Sequence, residues 1–348
     1  MTASEKYMAR CIELAKMGAG NVSPNPMVGC VIVLEDQIIG EGYHQKYGEA
    51  HAEVNAINSV ANPADLKKST IYVSLEPCAH YGLTPPCADL IVANKIPRVV
   101  IGSVDPFAKV AGKGIQRLIN AGIDVKVGVL ENECKELNKR FFNFHEKKRP
   151  YIILKWAQTL DGFIDIDRSK NEYGEPTWIT GNDALLRVHK MRAEEDAILV
   201  GTNTAQKDNP SLTVRHCEGK NPLRIVIDKN LRLDRTLHLF NNSTPTLVLN
   251  SIQNETQDNT EFVQLNFEKN ILPQLLKVLH SKNCLSLIVE GGKKVLESFI
   301  TKDLWDEAHV FTGNKHFGSG IEAPKLQGKI ELTEQIENDR LIVYKNRH

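Results

Sequence analysis

The chain has no long apolar run. The longest, Met27 to Leu34, is eight residues, against about 20 needed to span a bilayer, so no membrane partner is expected. Neither sign of charge is in excess: 43 Lys and Arg face 43 Asp and Glu. Proteins that bind nucleic acid by counterion release carry a basic excess, and that class is set aside. No Gly-x-Gly-x-x-Gly follows a predicted strand, and Gly112-Lys113-Gly114 opens an ordinary helix, so a Rossmann dinucleotide site is not predicted. The first residues carry Glu5 and no apolar segment, which predicts no signal peptide and a cytoplasmic location. Seven scattered cysteines, an odd number, argue against a disulfide framework and direct attention to metal binding or catalysis.

What is present is ordinary for a globular protein: 348 residues, 41% apolar and 25% charged. At roughly 150 residues per domain, two domains are expected. Residues 1–146 alternate helix and strand signals. Helices are predicted over 3–16, 52–60, 88–94, 114–121 and 131–145, the last as one closing helix. Strands are predicted over 28–34, 37–41, 70–74, 98–102 and 123–127, with a short hairpin at Glu35-Asp36. This is the pattern of a wound α/β sheet between helices. The charged stretch before Pro150 marks the boundary. Residues 150–348 restart with a strand over 151–156, then strands over 197–201, 223–227, 246–249, 285–290 and 307–312. Helices are predicted over 183–192, 271–282 and 293–300. The Asn-, Ser- and Thr-rich stretch 241–260 reads as surface loop around one strand.

The strongest chemical signal is His51-Ala52-Glu53, followed by Glu76-Pro77-Cys78 and by Cys87. His and Cys ligate zinc, and three protein ligands leave a fourth position open for catalysis. Zinc acidifies a bound water toward pKa 7. Glu53, two residues from His51, does not share its face and suits a proton shuttle. His-x-Glu followed by Pro-Cys and a second Cys is the signature of zinc nucleobase deaminases. Any one of these residues alone would read as an ordinary buried side chain; their joint order does not. Cys11, Cys30, Cys134, Cys217 and Cys284 have no such context and read as packing residues. His80 lies between the two ligand cysteines and reads as facing substrate, or as a substitute ligand. Eight residues separate Cys78 from Cys87, where the usual nucleoside deaminase has two. That longer insert points to a larger substrate.

In the second half, Val289-Glu290-Gly291-Gly292 ends a predicted strand and starts a helix. Glycines admit close backbone approach and a helix N-terminus offers N–H groups to phosphate. Val200-Gly201-Thr202-Asn203-Thr204 is a second strand-to-turn candidate.

Asn25-Pro26-Met27-Val28-Gly29-Cys30, the His51 and Cys78 motifs, Ala79-His80-Tyr81-Gly82 and Thr84-Pro85-Pro86-Cys87 resemble the bifunctional riboflavin biosynthesis family, which joins a pyrimidine deaminase to a reductase. The resemblance continues in Lys155 to Gly162, Trp178-Ile179-Thr180-Gly181, Asp208 to Arg215 and Val289 to Gly292. It covers roughly residues 1 to 320. It implies a cytidine-deaminase-like three-layer α/β/α domain followed by a dihydrofolate-reductase-like α/β domain, with Zn2+ and NADPH as cofactors. The implied substrate is a small phosphoribosylamino-pyrimidine, and the implied assembly a homo-oligomer. His51, Cys78 and Cys87 would hold zinc, Glu53 would shuttle the proton and Asn25 would contact the pyrimidine. Ala157, Trp178, Thr204, Asp208, Gly292, Lys293, Lys294, Val295, Leu296, Glu297 and Ser298 would line the cofactor. Arg192, Leu212, Arg215 and Glu290 would line the substrate, with the arginines suiting a phosphate. Lys155 is a further candidate, on the same face of its strand as Ala157. Asp208 is the acid expected near the reaction centre. Two positions depart from the family pattern: Leu83 stands where Arg or Lys is usual, and Pro176 where Ser is common. His44, Lys46 or His80 are candidates to supply the basic group that Leu83 does not.

Two rival readings belong to other classes. A nucleic-acid-editing deaminase would show a basic surface. A zinc-stabilised sensor of a flavin precursor would close its metal with four ligands and have no need of Glu53.

Overall fold

The computed structural model describes residues 1–79, 81, 85–107, 111–168 and 173–347. His80 and Leu83 lie outside the described residues. The chain divides into two compact units, Met1–Lys148 and Arg149–His348.

The first unit runs α1 (Ala3–Lys16), β1 (Gly29–Leu34), β2 (Gln37–Tyr43), α2 (Ala52–Asn58), β3 (Thr70–Leu75), α3 (Cys87–Ala93), β4 (Arg98–Ser103), α4 (Lys113–Asn120), β5 (Asp124–Val127), α5 (Glu131–Leu137) and α6 (Lys139–Lys147). Thr2 and Glu5 form a reciprocal capping box that starts α1. Glu35 and Asp36 both take positive φ (48° and 62°), as a tight two-residue hairpin between β1 and β2 requires. The sheet order is β2-β1-β3-β4-β5; β1 is antiparallel to both neighbours, and β3, β4 and β5 are parallel.

Strand β1 alternates its faces. Cys30 and Ile32 pack with Ala52 and Ala56 of α2 and Ile91 of α3. Val31 and Val33 pack with Tyr7, Met8 and Cys11 of α1. Helices therefore cover both faces, giving three layers. The helix expected over 131–145 is two helices, broken at Asn138 (φ −107°, ψ 24°). The Asn138 side chain is committed to a distant loop, as described below.

The second unit runs β6 (Tyr151–Thr159), β7 (Phe163–Asp165), α7 (Asn182–Glu194), β8 (Ala197–Gly201), α8 (Thr202–Asp208), β9 (Leu223–Ile227), β10 (Thr246–Asn250), β11 (Glu255–Gln257), β12 (Thr260–Gln264), α9 (Ile271–Ser281), β13 (Ser286–Val289), α10 (Lys293–Thr301), β14 (Glu307–Gly313), β15 (Ile321–Glu322), β16 (Lys329–Ile336) and β17 (Asp339–Lys345). Ten strands form one sheet, β11-β12-β10-β9-β8-β13-β6-β14-β17-β16. The strands from β12 to β14 are parallel, and β11, β17 and β16 are antiparallel to their neighbours. Leu154 and Trp156 of β6 face Leu275 of α9 and Phe299 of α10. Tyr151 and Ile153 face Val188 and Met191 of α7.

The stretch 241–260 thus reaches into three strands rather than one. Its polar residues sit mostly in turns, as where Asn250 Oδ1 accepts from the N–H groups of Ile252 and Gln253. The β16–β17 hairpin has no counterpart in the sequence pattern. Most of β16 is exposed, so its sequence has no buried face to alternate. The turn expected after β8 is the short helix α8.

Candidate active sites

The first site lies at the carboxyl ends of β3 and β4, where open α/β sheets bind their ligands. His51 immediately precedes α2 in extended conformation (φ −72°, ψ 166°). Cys87 opens α3 after Pro86. Cys78 sits in the loop that follows β3. His51 Nδ1 lies 3.3 Å from Cys87 Sγ and 3.6 Å from Cys78 Sγ, and the three ligand atoms fall within 4.8 Å of one another. The Cys87 N–H donates to Cys78 Sγ at 3.2 Å. Hydrogen bonds from Cys87, joined by His51, hold the Cys78 thiol well below its ordinary range despite burial. The same contact with Cys78 pushes Cys87 up.

Glu53 stands in the first turn of α2 and is 3% exposed. Burial, reinforced by the Cys78 charge, raises its carboxyl to about 7. Asn25 and His44 form a second layer. Asn25 Nδ2 donates to His44 Nε2 at 3.1 Å, and His44 Nδ1 donates to the Ala50 carbonyl at 3.1 Å. That pairing keeps His44 neutral with its proton on Nδ1. Burial lowers its pKa in agreement.

Two residues without a role in the sequence reading shape this site. Glu76 is buried, and its carboxylate accepts four main-chain N–H groups. Oε1 takes those of Gly114 (2.8 Å) and Ile115 (3.2 Å), and Oε2 takes those of Gly112 (2.9 Å) and Asp105 (3.3 Å). The loop carrying Cys78 is thereby tied to the start of α4. A Cβ on Gly114 would meet the Pro77 carbonyl oxygen at 2.0 Å, so only glycine allows this approach. Asn138 accepts the Met27 N–H and donates to the Met27 carbonyl, each at 2.8 Å, which anchors the loop bearing Asn25. These bonds join residues far apart in sequence, and only the position of Glu76 inside Glu-Pro-Cys hinted at them.

The second site is a cleft of about 520 Å³ at the carboxyl ends of β6, β8, β9 and β13. Lys155, Ala157, Thr204, Asp208, Glu290, Gly292, Lys293, Lys294, Val295 and Leu296 line it, as do Asp165, Arg168 and Pro176. A Cβ on Gly291 would meet Val200 Cα at 2.4 Å and the Gly201 nitrogen at 2.7 Å, so glycine lets β13 close on β8 here. Gly292 precedes α10 with φ +59°, and among the described residues no side chain caps the start of that helix. With Lys293, Lys294 and Thr204 alongside, this end of the cleft offers N–H groups and positive charge of the kind that suits a diphosphate.

Three acids line the cleft: Asp208 and Glu290, both expected there, and Asp165, which was not. Arg168 pairs with both aspartates. Arg192 forms a two-pronged pair with Glu290 at 2.8 and 3.2 Å. Burial pushes the Glu290 carboxyl up, but Arg192 and Lys155 outweigh it and hold it at about 2. Burial draws Lys155 downward against the pull of Glu290.

The chain matches two family descriptions. Residues 1–103 match the cytidine and deoxycytidylate deaminase zinc-binding region, and residues 150–344 match the RibD C-terminal domain. Riboflavin biosynthesis protein RibD of Aquifex aeolicus is 42% identical over 327 residues, covering 92% of this chain and 90% of the relative. The chain belongs to the RibD family. The Escherichia coli RibD protein is 37% identical over 337 residues, covering 90% and 89%. A crystal structure from Thermotoga maritima, described as a diaminohydroxyphosphoribosylaminopyrimidine deaminase/5-amino-6-(5-phosphoribosylamino)uracil reductase, superposes with a TM-score of 0.89 at 37% identity, covering 99% of each chain. Acinetobacter baumannii RibD superposes equally, at 0.89 and 32% identity.

The cofactors of a RibD chain are zinc and NADPH, and the residues present fit both. Tetrahedral bonds of about 2.3 Å to sulfur and about 2.0 Å to nitrogen place N and S about 3.5 Å apart, against 3.3 and 3.6 Å in this trio. The α10 end of the cleft suits the diphosphate of NADPH. Trp178, Arg192, Leu212, Arg215, Glu297 and Ser298, carried over by family resemblance, are not among the residues that line the cleft. Trp178 is exposed, and its neighbours Thr177 and Ile179 line the cleft instead. The cleft lining from α10 runs only to Leu296; Ser298 is turned to the Val295 carbonyl and Glu297 toward Lys293. Leu212 is buried in the core beside α7, and Arg215 lies at the surface beside it. Of the five remaining cysteines, Cys11, Cys30, Cys134 and Cys284 are buried and Cys217 is half-buried.

Proposed function

We propose that the first unit removes the 2-amino group of 2,5-diamino-6-(5-phosphoribosylamino)pyrimidin-4(3H)-one as ammonia, and that the second reduces the ribosyl group of the product to ribityl. The observation that carries this reading is a three-ligand His-Cys-Cys cluster with a buried carboxylate beside it, in the same chain as a RibD C-terminal domain. When bound, zinc supplies Lewis acidity to water and NADPH supplies a hydride. In the proposed deamination, Glu53 takes a proton from the attacking water and returns it to the leaving nitrogen. His44 holds one N–H of Asn25, which leaves the rest of that amide for the pyrimidine. In the proposed reduction, Gly292 to Leu296 and Thr204 seat the cofactor, with Ala157 and Asp208 farther along the cleft. Lys155 and the Arg192–Glu290 pair orient the sugar, and Arg215 meets the phosphate.

We further propose a homo-oligomer. The sheet ends at β16, whose outer edge is unpaired among the described residues and bears exposed Ile330 and Leu332. No described helix is long and apolar enough to cross a membrane, and the unpaired thiols suit the cytoplasm.

An ordered assay tests the function: diaminopyrimidine substrate alone should release ammonia, and NADPH absorbance should fall only after that step. Glu53→Ala should retain zinc and reductase turnover on supplied deaminated product, while deamination falls about 10²- to 10⁴-fold. Deamination that survives in this variant removes Glu53 from the mechanism.

A further inference from the structure

The segment 209–215, which carries Leu212 and Arg215, belongs to no helix or strand. Its backbone is left-handed at Asn209 (φ 40°) and at buried Leu212 (φ 53°), a conformation that residues with a Cβ adopt reluctantly. Side chains from elsewhere hold it in place. Asn221 accepts the Val214 N–H at 2.8 Å, His189 Nδ1 accepts the Arg215 N–H at 3.1 Å, and Arg192 donates to the Thr213 carbonyl at 3.4 Å. His189 and Arg192 stand three residues apart on α7, so they are neighbours on one face.

A main-chain N–H can only donate, so His189 Nδ1 is unprotonated and the ring proton sits on Nε2. That Nε2 is buried and has no hydrogen-bond partner among the described residues. The ring is fully buried and meets His216 edge-on, with centroids 4.5 Å apart. Protonation would break the bond to Arg215. It would also place a cation near Arg192, Arg215 and His216, with Glu290 as an opposing charge. Burial, then these charges, draw the His189 pKa down to about 4. An orphaned buried N–H is destabilising, and an apolar side chain would fill the same space without it. The acceptor on Nδ1 is what an apolar side chain lacks.

We propose that His189 is a positioning residue of the reductase site: a neutral acceptor that fixes the Arg215 segment beside Arg192 and presets the Arg215 guanidinium for the substrate phosphate. This rests on the reading that Arg192 and Arg215 meet substrate.

The test uses the full chain and reductase kinetics with each substrate varied. His189→Leu should raise the KM for the phosphorylated substrate about tenfold, with kcat and the KM for NADPH within about twofold of the parent. His189→Asn, whose Oδ1 occupies the place of Nδ1, should recover most of the loss; His189→Gln, whose carbonyl reaches toward Nε2, should not. An unchanged substrate KM in the Leu variant overturns the proposal. So does an Asn variant no better than Leu or Gln, which would indicate packing alone. If the Leu variant does not fold, the Asn and Gln comparison decides. Nitrogen-15 NMR supplies a readout independent of turnover. The His189 ring should remain neutral with its proton on Nε2 from pH 8 to pH 5, and a charged ring at pH 6 overturns the proposal. Arg215→Ala, run in parallel, locates any failure: an unchanged substrate KM there means that the reading of the substrate site is wrong, whatever the state of His189.

Discussion

The side-chain amide of Asn138 closes on the main chain of Met27, with both bonds at 2.8 Å across 111 residues of sequence. The same residue ends one helix and begins the next. The helix break and the anchoring of the Asn25 loop are thus one feature: a side chain that caps neither helix is free to hold the loop.

Asn138→Ala should therefore destabilise the first unit by about 1–3 kcal/mol, since it strands two half-buried main-chain groups of Met27. It should also raise the deaminase KM more than it lowers kcat. Thermal melting and deaminase kinetics on the same preparation check both.

Glu76→Gln keeps the size of the side chain but replaces one acceptor oxygen with a donor, facing N–H groups that also donate. The Cys78 loop should loosen, and zinc affinity should fall about 10- to 100-fold, as for other residues that support metal ligands. Chelator competition measures this without turnover. An unchanged affinity would mean that Cys78 is held by its own loop.

Glu290 carries the pH dependence. Its carboxyl is held at about 2, below the ordinary 4.5. The stability contributed by its ion pair is therefore fully present above about pH 4.5 and lost as pH falls toward 2. Glu290→Gln should remove that acid-side slope. It should also cost about 3–5 kcal/mol at neutral pH, because Arg192 is left buried without its partner. Denaturant unfolding of both proteins between pH 2 and 7 checks the sign and the size.

Gly291→Ala places a methyl group where β8 already runs. The expected result is a loss of about 1–3 kcal/mol from overpacking, with a raised KM for NADPH and deaminase activity intact. Melting curves and separate assays of the two activities distinguish this from a general folding defect.

The metal centre was legible in the sequence because its parts are local: His51 and Glu53 two apart, and Cys78 and Cys87 nine apart across the loop that leads into α3. The alternation of helices and parallel strands was legible for the same reason, since buried strands such as Ala197–Gly201 are apolar throughout. What was hidden depends on distant partners. Glu76 collects N–H groups from residues 29 to 39 positions away. Asn138 looks like an indifferent helix residue until Met27 is beside it. Strand β16 escapes notice because charged and apolar residues mix along an exposed sheet edge. His189 reads as one more residue of an amphipathic helix, and its orphaned nitrogen has no trace in sequence.

The strand order of the second unit has a consequence for how the chain is made. Strand β6 lies between β13 and β14, so Tyr151–Thr159, the first strand synthesised in that unit, finds neither neighbour until residues beyond 285 have emerged. The first unit has all its strands by Val127 and can close while the ribosome is still translating the second. Domains generally fold in this order, and late-paired strands are the ones exposed to misassociation. A chain stopped shortly after Lys148 would carry a finished metal pocket, whereas one stopped at 280 would trail an apolar strand waiting for its partners.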